Sequence, residues 1–239
     1  MQDDLKRKMI FMSIVCVSVL TACQNVATSD ESTMTTEIRE ETQMEQALIT
    51  AAAKGDTASV LELLASGAKI DATNQQGDTA IMAATKGAHV ATVEALIAQG
   101  ADLNRRNHNQ DNVLLYASAA GDLAIVQLAI EAGADTTITN RFGGTGLIPA
   151  ADRGHVDIVE YLLTQSDVDV NHLNNLHWTA LLEAVILGDG SETYQTIVQL
   201  LVDHGADVNQ GDREGVTPLQ HAIDRGFTEI ERILQAAVA

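Results

Sequence analysis

One phrase returns along this chain and limits what it can fold into. Gly100-Ala101-Asp102-Leu103-Asn104 comes back as Gly205-Ala206-Asp207-Val208-Asn209, in part as Gly133-Ala134-Asp135, and more weakly as Gly67-Ala68-Lys69-Ile70-Asp71. A second phrase keeps step with it: Ala80-Ile81-Met82-Ala83-Ala84, Ala180-Leu181-Leu182-Glu183-Ala184 and Pro218-Leu219-Gln220-His221-Ala222. A turn site falls at Gly55, Ala88, Gly121, Gly154, Gly188 and Gly226, with spacings of 33, 33, 33, 34 and 38 residues. A unit of that length cannot bury an apolar face alone, so successive units must stack.

The chemistry inside each unit is helical. Thr79, Asn112, Thr145, Thr179 and Thr217 each stand where a side-chain oxygen caps the start of a helix. Pro218 follows Thr217 directly, at the helical position where a missing N–H costs nothing. Glycine in the left-handed conformation then ends a short first helix. The second helix carries apolar residues at helical spacing, such as Ile158, Val159, Leu162 and Leu163. Aromatic residues make up only 3% of the chain while hydrophobic ones make up 46%. The core is therefore built from Ala, Leu, Ile and Val, which lets helices approach closely.

These phrases resemble the ankyrin repeat, whose signature is Thr-Pro-Leu-His-x-Ala at a period of 33. The resemblance runs from about Gln43 to Ala239. It implies an all-α solenoid of about six helix-turn-helix repeats with short hairpin-like loops, near 43–74, 75–107, 108–140, 141–174, 175–212 and 213–239. The departures from the pattern carry expectations of their own. Gln46 stands at the first capping site, as suits a terminal repeat, and Ala88 at a turn site predicts a shifted or strained turn. Ser166 to Asn171 is one residue longer than its equivalents, and about five extra residues fall near Asp189 to Thr193. Glu231 replaces the valine of earlier repeats (Val60, Val93, Val126, Val159), which predicts a final helix with one face toward water.

The N-terminus has a different logic. Lys6-Arg7-Lys8 precedes an apolar run from Met9 to Leu20, the order of a secretory signal. That run is too short to cross the ~30 Å of a bilayer core. Leu20-Thr21-Ala22-Cys23 resembles the lipobox of bacterial lipoproteins. The resemblance implies that residues 1–22 are removed and that Cys23 is lipidated, with Cys16 lost in the removed piece. Gln24 after the cysteine favours the periplasmic face of an outer membrane under that family's sorting rule. Residues 23–42, rich in Ser, Thr and acids, read as a flexible tether reaching at most ~60 Å. The alternative for its last turn is a helix start around Thr35 to Gln43.

Charge and spacing narrow the function. The formal net charge is −19, a field that repels nucleic acid and anionic lipid headgroups, so the expected membrane contact is the lipid anchor alone. Arg141 to Gly146 lacks the Lys-Ser/Thr ending of a phosphate loop, and Asp167-Val168-Asp169 lacks the Gly and distal Glu of a calcium loop. His89 and His155 stand just after turn sites, where the resemblance implies that they brace neighbouring loops. Neither a metal nor another cofactor is expected. Ankyrin proteins bind partners with loop tips and a concave face, here the row Thr50, Ala83, Tyr116, Pro149, Glu183 and His221. Arg105, Arg106, Tyr116, Arg141, Phe142, Trp178, Glu183 and His221 form the candidate protein-binding patch, since Trp, Tyr and Arg dominate hot spots. Trp178 is read as exposed at a loop tip, with packing onto the next loop as the alternative. The expected function is a monomeric, non-enzymatic interaction module serving as an envelope scaffold or accessory protein. One alternative is an immunity protein that neutralises a secreted toxin such as a lipase. Another, of a different class, is a hydrolytic or metal-dependent enzyme using Glu183 and His221, which occupy equivalent positions on adjacent first helices.

Overall fold

The computed structural model describes residues 39–238. Two compact units divide the chain, 1–44 and 45–239. In the first, only residues 39–44 are described, and all are helical, so 39–42 are helical where a tether was expected. Cys23 and the signal segment lie outside the described residues.

The second unit opens with helical residues 45–53, here α1. Eleven helices follow: α2 (Thr57–Ala65), α3 (Ala80–Lys86), α4 (Val90–Ala98), α5 (Val113–Ala120), α6 (Leu123–Glu131), α7 (Leu147–Asp152), α8 (Val156–Gln165), α9 (Ala180–Ile186), α10 (Glu192–Asp203), α11 (Pro218–Arg225) and α12 (Thr228–Val238). No strand occurs among the described residues, and no helix there is long and apolar enough to cross a membrane. First helices pack on first helices of adjacent repeats, α3 on α5, α7, α9 and α11 in series, and second helices do the same from α2 to α12. This is the expected stack of pairs.

Small side chains set the spacing. Ala84, Ala117, Ala150, Ala184 and Ala222 hold one equivalent place on the first helices, and each is fully buried. A branched side chain there would push neighbouring axes beyond the 8–10 Å of close packing. Val60, Val93, Val126, Val159 and Val198 fill the matching place on the second helices, also fully buried. Glu231 occupies that place in α12 half-exposed, accepting from Gln235 Nε2 at 2.9 Å, while Ile230, Ile233 and Leu234 turn inward. The last helix has the one-sided face expected of it.

The loops are held by one side chain per repeat, a feature absent from the sequence reading. Oδ1 of Asn74, Asn107, Asn140, Asn174 and Asp212 accepts from the amides two and four residues on, at 2.8–3.1 Å. The chain reverses there, and the third residue after each Asx is left-handed: Gly77, Gln110, Gly143, His177 and Gly215. Successive loops are then tied in register. Asp71, Asn104 and Asn171 each accept, through Oδ1, from the Asp amide of the next repeat's Gly-Ala-Asp phrase, at Asp102, Asp135 and Asp207. The two histidines brace as the resemblance implied: His89 Nε2 meets Ala53 O at 3.1 Å and His155 Nε2 meets Ala119 O at 3.4 Å.

Two local expectations are corrected. Thr79, Asn112, Thr179 and Thr217 cap their helices, but Thr145 does not, and α7 has Gly146 at its N-cap and no side-chain cap. The cause is Pro149. In the other repeats the capping residue's carbonyl accepts from the amide four residues on, as Glu183 N donates to Thr179 O at 3.0 Å. Proline has no such amide. Thr145 O instead takes Ile148 N at 3.2 Å, the donor its own hydroxyl would have used, and Thr145 Oγ1 is buried with no protein partner. The helix that results is six residues long.

The second correction concerns the insertion. The left-handed turn residue is Gly190, not Gly188, at φ 75°. The connection between α9 and α10 covers 187–191, against 87–89 in the second repeat, and α10 has 12 residues where α4 has 9. The extra residues thus divide between a longer turn and an added helical stretch. A Cβ on Gly190 would strike the Phe227 ring at 2.5 Å, and Tyr194 donates its hydroxyl to Asp152 O at 2.8 Å. Packing on both sides makes the insertion part of the stack rather than a grafted contact loop.

Pro149 makes two chemically identical substitutions differ in cost. Thr179→Val removes the oxygen that accepts Leu182 N at 3.2 Å and is expected to cost about 1 kcal/mol. Thr145→Val removes an oxygen with no protein partner and is expected to be near neutral. Urea midpoints of the two variants measure the difference; equal losses would contradict the missing cap.

Candidate functional site

The short α7 borders a concavity. A groove of about 490 Å³ opens between α5, α7 and α9 and the loop tips before α7 and α9. Tyr116, Pro149 and Glu183, three members of the expected concave row, line it together with Arg141 and Phe142. Asn140 and Asn174, which hold their loops through Oδ1, lie in its wall. The loop scaffold and the groove are therefore one construction.

The surface of the groove mixes apolar and acidic groups. Phe142 is 59% exposed, Leu176 55% and Leu187 50%, and all three border it. These large apolar side chains are gathered around one concavity rather than scattered singly. The Arg141 guanidinium lies 4.5 Å from the centre of the Phe142 ring. Arg153 donates to Ala119 O at 2.6 Å. Asp111, Asp152 and Glu183 bring three carboxyl groups. Burial pushes the Asp111 and Asp152 carboxyls up from the usual carboxylate range, against the pull of Arg141 and Arg153 respectively.

Glu183 is the most unusual of these. It sits in the first turn of α9 and is only 9% exposed, with Asn174 Nδ2 donating to Oε1 at 2.7 Å. Burial and then the neighbouring Asp152 charge push its carboxyl up to about 7, against the Asn174 hydrogen bond.

The other expected site residues are placed differently. His221 does not meet Glu183. Its Nε2 pairs with Asp212 Oδ2 at 2.8 Å, so each first-helix residue turns to the Asx of its own loop, nine positions earlier, and not to the adjacent repeat. No group of three or more His, Cys, Asp or Glu gathers in metal-binding geometry among the described residues. Arg105 and Arg106 are exposed on a loop tip outside the groove, and Arg106 donates to Thr139 O at 3.1 Å, which ties it to the next repeat. Trp178 is half-buried rather than exposed, at the end of the turn held by Asn174, and does not line the groove. Leu176 and Leu187 were not among the expected residues. An apolar residue at either place reads as core in a sequence.

The family model described as Ankyrin repeats (3 copies) matches residues 48–140, 114–212 and 150–237. An ankyrin repeat protein of Escherichia coli (strain K12), YahD, is 48% identical over 88 residues, which are 37% of this chain and 44% of that protein. The chain thus spans less than half the length of that relative. Human BCL-6 corepressor-like protein 1 is 37% identical over 70 residues, 29% of this chain and 4% of that protein. Among solved structures, an ankyrin repeat domain from Acinetobacter baumannii AYE is similar with a TM-score of 0.78 and 48% identity, covering 80% of this chain and 97% of that one. The ankyrin repeat domain of human ASB11 is similar with a TM-score of 0.67 and 26% identity, over 80% and 83% of the two chains.

The raised Glu183 carboxyl gives the stack a pH dependence of definite sign. At low pH the group is protonated in both the folded and unfolded chain. Between the ordinary 4.5 and about 7 the unfolded chain ionises first, so its contribution to stability falls as pH rises and stays low above about 7. Glu183→Gln keeps a polar side chain beside Asn174 and removes the charge. It is expected to raise the melting temperature by several degrees at pH 8, an effect of at most about 3 kcal/mol, and to change it little at pH 4. Thermal melts of both proteins across that range test this; parallel curves would contradict it.

Proposed function

The chain belongs to the ankyrin-repeat family, and on that premise we propose that it is a non-enzymatic protein-interaction module whose partner docks in the concave groove of repeats three to five. The observation that carries this reading is the exposure of Phe142, Leu176 and Leu187 together around one concavity, whereas Leu61, Ile223 and Val238 are exposed away from it. A partner that covers them removes apolar surface from water at a place already shaped to receive it. The three-repeat span also gives a partner contacts from helices and loop tips at once. Arg105, Arg106 and Trp178 then belong to the rim of the contact or to the stack itself.

The proposal includes an address. The Leu20-Thr21-Ala22-Cys23 phrase after a basic and apolar leader supports acylation of Cys23 and display on an envelope membrane, with Gln24 favouring the periplasmic face of an outer membrane. Two acyl chains hold a protein on a bilayer where one holds it only marginally. The role is then that of an accessory or scaffold for another envelope protein.

Cross-linking in intact cells, followed by purification and mass spectrometry, identifies the partner. With that partner in hand, Phe142→Ala is expected to weaken binding by about 2 kcal/mol or more. It should leave stability within about 1 kcal/mol, because the ring is mostly exposed. Unchanged affinity would remove the groove from the contact. Cys23→Ala is expected to move the protein from the membrane to the soluble fraction or to block its processing. An unmodified Cys23 in the wild-type protein, seen by intact mass, would end the lipoprotein reading.

A further inference from the structure

The charges in the groove are not evenly matched. Asp152 on α7 and Glu183 on α9 both line it from adjacent helices, and the Asp152 charge opposes ionisation of Glu183. The ion pairs among the described residues lie elsewhere, at Lys69–Glu45, Lys86–Asp78, His221–Asp212 and Arg232–Glu229. The two arginines of the groove make their close contacts elsewhere, Arg153 with Ala119 O and Arg141 with the face of Phe142, and their pull on Asp152 and Asp111 does not offset burial. Glu183 is nine-tenths buried, and the hydrogen bond it takes from Asn174 is on Oε1, leaving Oε2 for another donor. A deeply buried carboxyl with a half-buried one beside it, next to exposed leucines, is a costly arrangement unless a cation completes it.

We infer that the groove recognises a segment of a partner protein that projects a lysine or arginine side chain between Asp152 and Glu183, with apolar neighbours seated on Phe142, Leu176 and Leu187. This rests on the proposed docking in the groove and names the chemistry of what docks. Charge complementarity selects the occupant. The incoming cation relieves the Asp152–Glu183 repulsion and donates to the unused Oε2, while its aliphatic stem lies against the leucines. A second copy of this chain brings the same −19 charge, and an acidic segment adds to the repulsion. Binding favours the ionised form of Glu183, so formation of the complex releases protons near neutral pH.

The test uses a library of random dodecapeptides displayed on phage, panned against the purified full chain. The expected result is enrichment of sequences with Lys or Arg flanked by apolar residues. Binding of synthetic versions should fall at least tenfold in Asp152→Asn/Glu183→Gln and in Phe142→Ala, and hold in Arg105→Ala/Arg106→Ala. Circular dichroism melts confirm that each variant is folded, and Asp152→Asn and Glu183→Gln singly serve where the pair is not. Enriched peptides that lose binding in Phe142→Ala but show no basic preference overturn this inference and leave groove docking standing. Peptides whose binding ignores all groove variants overturn both. Stoichiometric binding of spermidine at the two carboxyls, without any selected peptide, overturns the assignment to a protein partner.

Discussion

One oxygen atom in each repeat fixes where the loop tips stand. Oδ1 of Asn74, Asn107, Asn140, Asn174 or Asp212 takes two backbone amides in a tight reversal, which satisfies donors that the turn would otherwise leave to water. The remaining polar atom of the same side chain is free for a second task. Asn107 donates to buried Asp78 in the preceding repeat at 2.8 Å, Asn174 donates to Glu183, and Asp212 receives His221. At Asn174 and Asp212 one side chain thus shapes the loop and holds the first-helix residue nine positions on. Replacing Asn174 would unfasten the tip that carries Leu176 and free the Glu183 side chain together.

The groove lies where the repeat pattern is most disturbed. Pro149 withdraws the amide that would start α7 in the ordinary way, so the helix is cut to six residues and its capping hydroxyl is stranded. The ring itself lines the groove, with Gly144 and Asn140 in the wall beside it. In a solenoid such damage stays local, because stability is close to a sum of repeats and their nearest-neighbour interfaces. Fully buried Ala150, Ile158 and Val159 keep the fourth repeat in the stack. The chain can therefore deform one repeat for a site without losing the others.

The stack was legible because its information is periodic. Alanine at the point of closest helix approach, valine on the second helices and a break every 33 or so residues survive as letters at fixed spacing. The recurring Asx was equally periodic, at 74, 107, 140, 174 and 212, yet attention to the glycine phrases passed over it. Counting glycines also misplaced one turn. Gly188 matched the spacing, but its Cβ would meet the Ala184 carbonyl and the Tyr194 ring, and the left-handed residue is Gly190. The site was harder because exposure is a property of neighbours. Leu176 and Leu187 look like core residues, and Trp178 looks like an anchor, until the packing around each is known.

Glu183 shows why the site differs from the scaffold that holds it. Its equivalents along the concave row are Ala83, Tyr116, Pro149 and His221, so the stack itself has no need of an acid there. An alanine or a tyrosine at that depth would spare the protein a buried carboxyl whose ionisation is opposed by burial and by Asp152. A local choice that runs against stability, beside the proline that shortens α7, is the kind of departure on which the proposed docking rests. The groove, its exposed leucines and its unmatched carboxyls are three separate costs placed in the same three repeats, and a bound partner with a basic and apolar segment lowers all of them at once.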